Sequence, residues 1–233
     1  MSSSTDRFAR TADRVAARQD ARAARLAGEV RDFVPRAGSE RALDVGTGAG
    51  ALAFALAPLV RAVVGVDPVR ELLDLARDRA LPNTEFVEGD GTALAFPDAD
   101  FDLVGTHRTL HHVSRPDGVV AEMARVTRRG GHVLVVDQLA PGDAAEAAAL
   151  HAFETRRDPS HTRLLTEAEL HELFATNGLV LVRERRGDAR RDLTAYLDLA
   201  ACDGEARAGV EALAADDPRV LAERVGWFLL VRS

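Results

Sequence analysis

The chain contains no lysine and no isoleucine in 233 residues, so all 30 of its basic residues are arginine. Both absences fit a GC-rich coding bias and carry no functional message. A single cysteine, Cys202, excludes an intrachain disulfide framework and fits a reducing compartment. It follows Ala200 and Ala201 in what reads as a helix, so a buried structural thiol is expected rather than a nucleophile. No apolar run approaches the ~20 residues a membrane-spanning helix needs. The opening MSSSTDRFAR lacks the apolar stretch of a secretion signal. Basic residues are also in the minority, 30 against 37 acidic, and a net charge of −7 is the wrong sign for a duplex nucleic acid. The expectation is a cytoplasmic protein with no membrane and no nucleic-acid partner, either a monomer or a homodimer. Its length suits one α/β domain with short additions.

Short apolar runs alternate with helical stretches through most of the chain. Strands are expected at 41–45, 62–66, 84–88, 101–105, 132–137, 179–184 and 226–232, and helices at 49–57, 69–80 and 116–128. That alternation predicts βαβ units and a doubly wound, mostly parallel seven-stranded sheet. The last two strands form an antiparallel hairpin around a long insertion. Residues 6–34 carry one helical pattern, ended by Pro35 and Gly38. Residues 1–38 are therefore assigned to an N-terminal helical lid and 39–233 to the α/β domain. Cap or insertion helices fall within 140–176 and 188–218. Asp143 with Glu146, and Thr166 with Glu169, have capping-box spacing.

The stretch LDVGTGAGALA (43–53) places a glycine turn between the first strand and the next helix. Such a turn brings backbone N–H groups close to a ligand. Gly46, Gly48 and Ala51 fit a dinucleotide fingerprint; Gly46, Gly48 and Gly50 fit a different cofactor. Asp44 discriminates, because a carboxylate beside the turn repels a pyrophosphate and attracts the ammonium of S-adenosylmethionine. Asp67 ends the next strand, where it can accept hydrogen bonds from ribose hydroxyls. Asp90 follows the third strand and can accept from an adenine amino group, with Pro68 and Val69 as apolar faces.

LDVGTGAGALA, VVGVDP, VEGDGTALAFPDADFDLV, LHHV and EMARVTRRGGHVLVVDQ occur in the order found in class I S-adenosylmethionine-dependent methyltransferases. The sequence resembles the small-molecule branch that includes ubiquinone/menaquinone C-methyltransferases, over about residues 40–185. The resemblance implies a Rossmann-like methyltransferase fold. It also implies cofactor contacts at Asp44, Gly46, Gly48, Gly50, Asp67, Pro68, Asp90, Gly91, Thr106 and His107. Val15 stands where relatives often carry Tyr, and His107 where a bacterial subset tends to carry Arg.

Methyl transfer from a sulfonium is an in-line displacement that needs positioning, a dry pocket and, for an acidic acceptor, a general base. THRTLHHV (106–113) sets three histidines past the fourth strand, and His111 and His107 are candidate bases. His111 and His112 are adjacent and are expected to point in different directions. In PSHTRLL (159–165), His161 can move a proton and Arg163 can pair with an anionic acceptor. No metal site is expected, since the i, i+4 pair His107 and His111 has no cysteine or carboxylate close by. The leading function is methyl transfer to a small-molecule acceptor. The alternatives are S-adenosylmethionine binding without transfer, and an NAD-dependent dehydrogenase.

Overall fold

A computed structural model describes residues 4–233. Its strands are β1 (Arg41–Val45), β2 (Ala62–Asp67), β3 (Thr84–Glu88), β4 (Phe101–His107), β5 (Thr127–Gln138), β6 (Leu179–Arg190) and β7 (Ala222–Arg232). They form one seven-stranded sheet in the order β3-β2-β1-β4-β5-β7-β6. β1 to β5 pair in parallel, and β7 runs antiparallel between β5 and β6. The strand order reverses between β1 and β4. The crevice at the carboxyl ends of these two strands is the place where open α/β sheets take ligands.

β1, β2 and β4 are buried on both faces, which explains their nearly unbroken apolar runs. Helices α3 (Ala51–Leu56) and α4 (Arg70–Arg77) cover one face. There Leu52 and Leu73 pack on Ala42, Val63, Leu103 and Trp227. Helices α5 (Pro116–Val126) and α7 (Glu167–Thr176) cover the other. There Met123, Leu170 and Phe174 pack on Leu43, Val104 and Phe228. Adjacent Trp227 and Phe228 thus serve opposite faces, as period-two alternation requires.

The N-terminal pattern is not one helix. It divides at Thr11 into α1 (Ser4–Arg10) and α2 (Ala12–Phe33). Thr11 has φ −117° and ψ 15°, and its hydroxyl bonds back to the Arg7 carbonyl at 3.1 Å. Nor does residue 38 separate a lid from a body. Leu26, Val30 and Phe33 of α2 belong to the core cluster beneath the sheet. At roughly 1.5–3 kcal/mol per fully buried large side chain, that half of α2 is structural. Only α1 and the first turns of α2 reach over the carboxyl edge, where Ala12 and Ala16 pack on Ala49, Val69 and Leu72.

The cap also differs from expectation. α6 (Ala144–Arg157), α8 (Leu193–Leu199) and α9 (Gly204–Asp216) build a separate apolar cluster around Phe153, Leu197 and Val210. α7 was expected within this cap and instead flanks the sheet, with Leu170 and Phe174 turned to its core. Both predicted helix caps form. Asp143 accepts from the Glu146 N–H, and Thr166 with Glu169 makes a full capping box. Cys202 is buried as expected, but it lies in the turn between α8 and α9 rather than on a helix. Ala201, at φ +51°, ends the helical path just before it. Among the described residues, no helix is long and apolar enough to cross a membrane.

Candidate active site

β1 passes directly into the glycine turn. Gly46, Gly48 and Gly50 have φ of +72°, +55° and +93°, a region that strains any residue with a Cβ. Space is as limiting as conformation. A Cβ on Gly46 would lie 2.2 Å from Thr109 Cγ2, and one on Gly50 2.6 Å from the Phe54 ring. A Cβ on Gly48 would lie 3.0 Å from Gln19 Nε2, so α2 covers this turn.

Asp44 lies under the turn and is 1% exposed. Its Oδ2 accepts from Thr47 Oγ1 at 2.7 Å and from the Ala53 N–H at 3.0 Å. Its Oδ1 is buried and has no partner. Burial pushes the carboxyl up to about 7, against the Thr47 and Ala53 hydrogen bonds, and Asp67 adds to the rise. Asp67, at the end of β2, clamps the same turn. Its Oδ2 accepts from the Gly48 N–H at 2.8 Å and its Oδ1 from the Val69 N–H at 2.9 Å. Burial raises it to about 6 against those two bonds. A buried, unpartnered carboxylate oxygen has the chemistry to hold an ammonium; a diphosphate would meet repulsion there.

The other expected contacts are placed unevenly. Asp90 is exposed and closes on Thr92, whose N–H and hydroxyl both reach its Oδ1 at 2.8 Å. Gly91 lets the chain approach β1, since a Cβ there would lie 2.9 Å from Val45 Cγ1. Pro68 is exposed, while Val69 is buried under the lid. The Thr106 hydroxyl is fully buried and donates to the Val45 carbonyl at 2.8 Å, so its side chain ties β4 to β1 instead of facing a ligand. His107 ends β4 and is half-buried.

Past β4, residues 110–112 form a single 3-10 turn. Consecutive side chains leave such a turn about 120° apart, and His111 and His112 take different partners, Asp137 and Ser160, as their adjacency predicts. The rings of His111 and His112 lie 4.2 Å from each other, and His161 lies 5.6 Å from His111. His111 Nδ1 meets Asp137 Oδ1 at 2.5 Å. Asp137, on β5, also accepts from the N–H groups of Leu110 and Gln138, both at 2.7 Å. Burial raises this carboxyl, but His111, the Gln138 N–H and Arg108 outweigh it and hold it below the ordinary value. A carboxylate accepts at Nδ1, so Nδ1 carries the hydrogen and Nε2 keeps the lone pair. Burial pushes His112 well below the usual histidine value, helped by His111 and His161. His161 falls to about 4 for the same first reason, and neither of its ring nitrogens has a partner.

Arg163 does not join this group. It is 54% exposed on its side chain and pairs with Glu169 at 2.7 Å, because the capping box of α7 turns it to the surface. Buried charges from other segments take its place. Glu154 of α6 is fully buried and meets Arg157 at 2.9 Å, Arg191 at 2.8 Å and the Tyr196 hydroxyl at 3.0 Å. Asp158 meets Arg7 of α1 at 2.7 Å. Sequence reasoning missed Asp137, Glu154, Arg157, Arg191 and Arg7 as site residues. The Asp137–Gln138 step at the end of the apolar run HVLVV was a readable signal. The others sit in charged stretches that read as solvent-facing. A further cluster of Glu167, His171 and Glu184 lies on the surface, where the Arg186 guanidinium takes both Glu167 oxygens.

Residues 43–135 match the family described as a methyltransferase domain. That stretch holds β1 to β5 and both buried aspartates of the turn. Residues 43–135 therefore form a methyltransferase domain. An uncharacterized methyltransferase of Bacillus subtilis, YcgJ, is 35% identical over 143 residues, which are 60% of this chain and 56% of that protein. A ubiquinone/menaquinone biosynthesis C-methyltransferase of Pseudomonas putida is 33% identical over 144 residues, covering 58% and 56%. The chain therefore spans about half the length of the curated relatives it matches. The crystal structure of the YcgJ protein superimposes with a TM-score of 0.81 at 23% identity, over 89% of this chain and 98% of that one. That likeness bears on the fold. The methyltransferase assignment leaves the dehydrogenase alternative without support: Gly50 holds the third left-handed position, while Ala51 starts α3.

Proposed function

We propose that this protein transfers a methyl group from S-adenosylmethionine to a small-molecule acceptor. The observation that carries the reading is the unpartnered Oδ1 of Asp44, buried beside three left-handed glycines. Asp44 would take the cofactor's ammonium. Asp67, fixed by Gly48 and Val69, would offer its remaining lone pairs to ribose hydroxyls. Asp90 and Pro68 would border the adenine. When bound, the cofactor supplies a methyl carbon made electrophilic by the adjacent sulfonium.

The chain's own residues position the acceptor and handle its proton. The acceptor's nucleophile would bond to that methyl carbon as the carbon–sulfur bond breaks, and the electron pair would leave with sulfur. The acceptor's proton goes to His111 Nε2. Asp137 fixes the tautomer and stabilises the imidazolium that results, as a carboxylate does in other histidine-based sites. The lid segment α1 and the cap helices keep water away from the reacting atoms. Carbon and nitrogen acceptors both occur among the relatives' names: the Pseudomonas protein above is a C-methyltransferase, and a phosphatidylethanolamine N-methyltransferase of Cereibacter sphaeroides is 38% identical over 122 residues.

Calorimetry with S-adenosylmethionine, S-adenosylhomocysteine and NAD tests the cofactor. The first two should bind, and NAD should not. Transfer of a labelled methyl group to a panel of phenols, quinols, amines and carboxylic acids tests the reaction. Binding without transfer to any of them would favour a protein that holds the cofactor for another purpose.

A further inference from the structure

We infer that the methyl acceptor carries a carboxylate, gripped by Arg7 of the lid and Arg191 of the cap. This rests on the methyl-transfer reading above and deepens it. Arg7 and Arg191 are each 8% exposed. Arg7 Nε, Arg191 Nε and Arg191 Nη2 are buried and have no partner. All three are donors.

The carboxylate oxygens around them are already engaged. Glu154 Oε1 accepts from Arg191, Gln138 and Tyr196, and its Oε2 from Arg157 and Tyr196. Asp158 Oδ1 accepts from the Ser160 N–H and hydroxyl, and its Oδ2 pairs with Arg7. The need is therefore for a ligand that brings oxygen acceptors. These residues form one continuous cluster. The Arg191 and Arg157 guanidiniums lie 4.4 and 4.0 Å from the Tyr196 ring, and Arg157 reaches Asp158 at 3.7 Å.

Charge agrees with the donor inventory. Among these five groups, Arg7, Arg157 and Arg191 face Glu154 and Asp158, a local surplus of one positive charge in a buried place. Neighbouring Arg108 is paired with Glu223, and the negative charge of Asp137 stands apart from these five groups, held by His111 and two N–H groups. An uncompensated buried charge is costly, and a monoanion removes that cost. A phosphate, at roughly −1.5 to −2, would overshoot it. A cationic amine would add to the excess, and a neutral hydrocarbon would leave the donors orphaned.

The two grips come from segments far apart in sequence, α1 and the loop after β6. His161 stands on the same side, 5.6 Å from the His111 ring. An acceptor held by its carboxylate would therefore present its nucleophilic end toward the histidines.

The test measures thermal unfolding and direct binding with acetate, benzoate and naphthoate against their amides, with chloride matching the ionic strength. It is run with and without S-adenosylhomocysteine. At least one acid should raise the unfolding midpoint where its amide does not. Arg7→Gln and Arg191→Gln should each weaken that acid about tenfold or more. S-adenosylhomocysteine affinity should be unchanged in both. Arg7→Lys and Arg191→Lys, which keep the charge, guard against a folding defect and should lose less. Equal binding of acids and amides, no stabilisation by any acid at millimolar concentration, or undiminished acid binding in the variants would overturn the inference. Failure of S-adenosylhomocysteine to bind the wild type would instead overturn the methyl-transfer reading, and the acid results without it would still be read.

Discussion

Replacing Asp44 by Asn should make the free protein more stable and a worse cofactor binder. The folded carboxyl holds its proton up to about 7, while an unfolded aspartate releases it near 3.8. Between those values the native state binds more protons than the unfolded one, so stability falls as pH rises through the window. At about 1.36 kcal/mol per pH unit, the loss accumulates to about 4 kcal/mol by pH 7. Asparagine avoids that loss and keeps an oxygen for Thr47 and Ala53. Thermal and urea unfolding should show a gain close to zero at pH 4, growing toward this ceiling at pH 7. Each kcal/mol is worth about 2–4 °C in a domain of this size.

Binding should move the other way. An ammonium at Oδ1 favours the ionised carboxylate, so wild-type affinity for S-adenosylmethionine should fall as pH drops below about 7. Losing a charged hydrogen bond costs about 1.5–3 kcal/mol, or about 10- to 100-fold in Kd at neutral pH. Calorimetry between pH 5 and 7 stays below the range where an α-ammonium deprotonates, about 7.7–8.0. In Asp44→Asn the pH dependence should shrink to a smaller step near 6, which belongs to Asp67. Unchanged affinity in the variant, or a stability gain that does not grow with pH, would refute the placement of the cation at this oxygen.

Asp67→Ala frees the N–H groups of Gly48 and Val69, and cofactor titration should show at least a tenfold weaker Kd. Gly46→Ala forces a Cβ against Thr109 at a positive φ and should abolish binding, while Gly38→Ala, in open space, should cost only about 1 kcal/mol in denaturant unfolding. Asp137→Asn should lower kcat by about 10²–10⁴ and leave the cofactor Kd unchanged, since its bonds run to His111 and to the Leu110 and Gln138 N–H groups and not to the glycine turn. Thr166→Ala removes the capping box of α7 and should lower unfolding stability by about 1 kcal/mol without changing activity.

The proposed cofactor half of the site was legible as a motif because it is local. Gly46, Gly48, Gly50 and Asp44 lie within seven residues of one another, and Asp67 ends the next strand. Backbone conformation and strand ends dictate such positions, and both leave a pattern in a short window. The proposed acceptor half was read poorly for the opposite reason. Arg7, His111, Asp137, Glu154, Arg191 and Tyr196 come from six different segments, and their spacing in sequence carries no period. Arg163 illustrates the hazard. It stands two residues from buried His161, but the helix cap beside it turns it to solvent.

By itself the sequence determined the alternating strands and helices, the antiparallel last pair, the glycine turn and the acidic residues at the strand ends. All of these follow from short-range sterics and from the burial of apolar runs. Tertiary structure alone decided that half of the supposed lid belongs to the core and that α7 flanks the sheet. It also decided that arginines resembling a solvated surface are buried around Glu154 and Asp158. Which charge meets which is a matter of long-range packing, where desolvation and Coulomb attraction are settled only once distant segments touch.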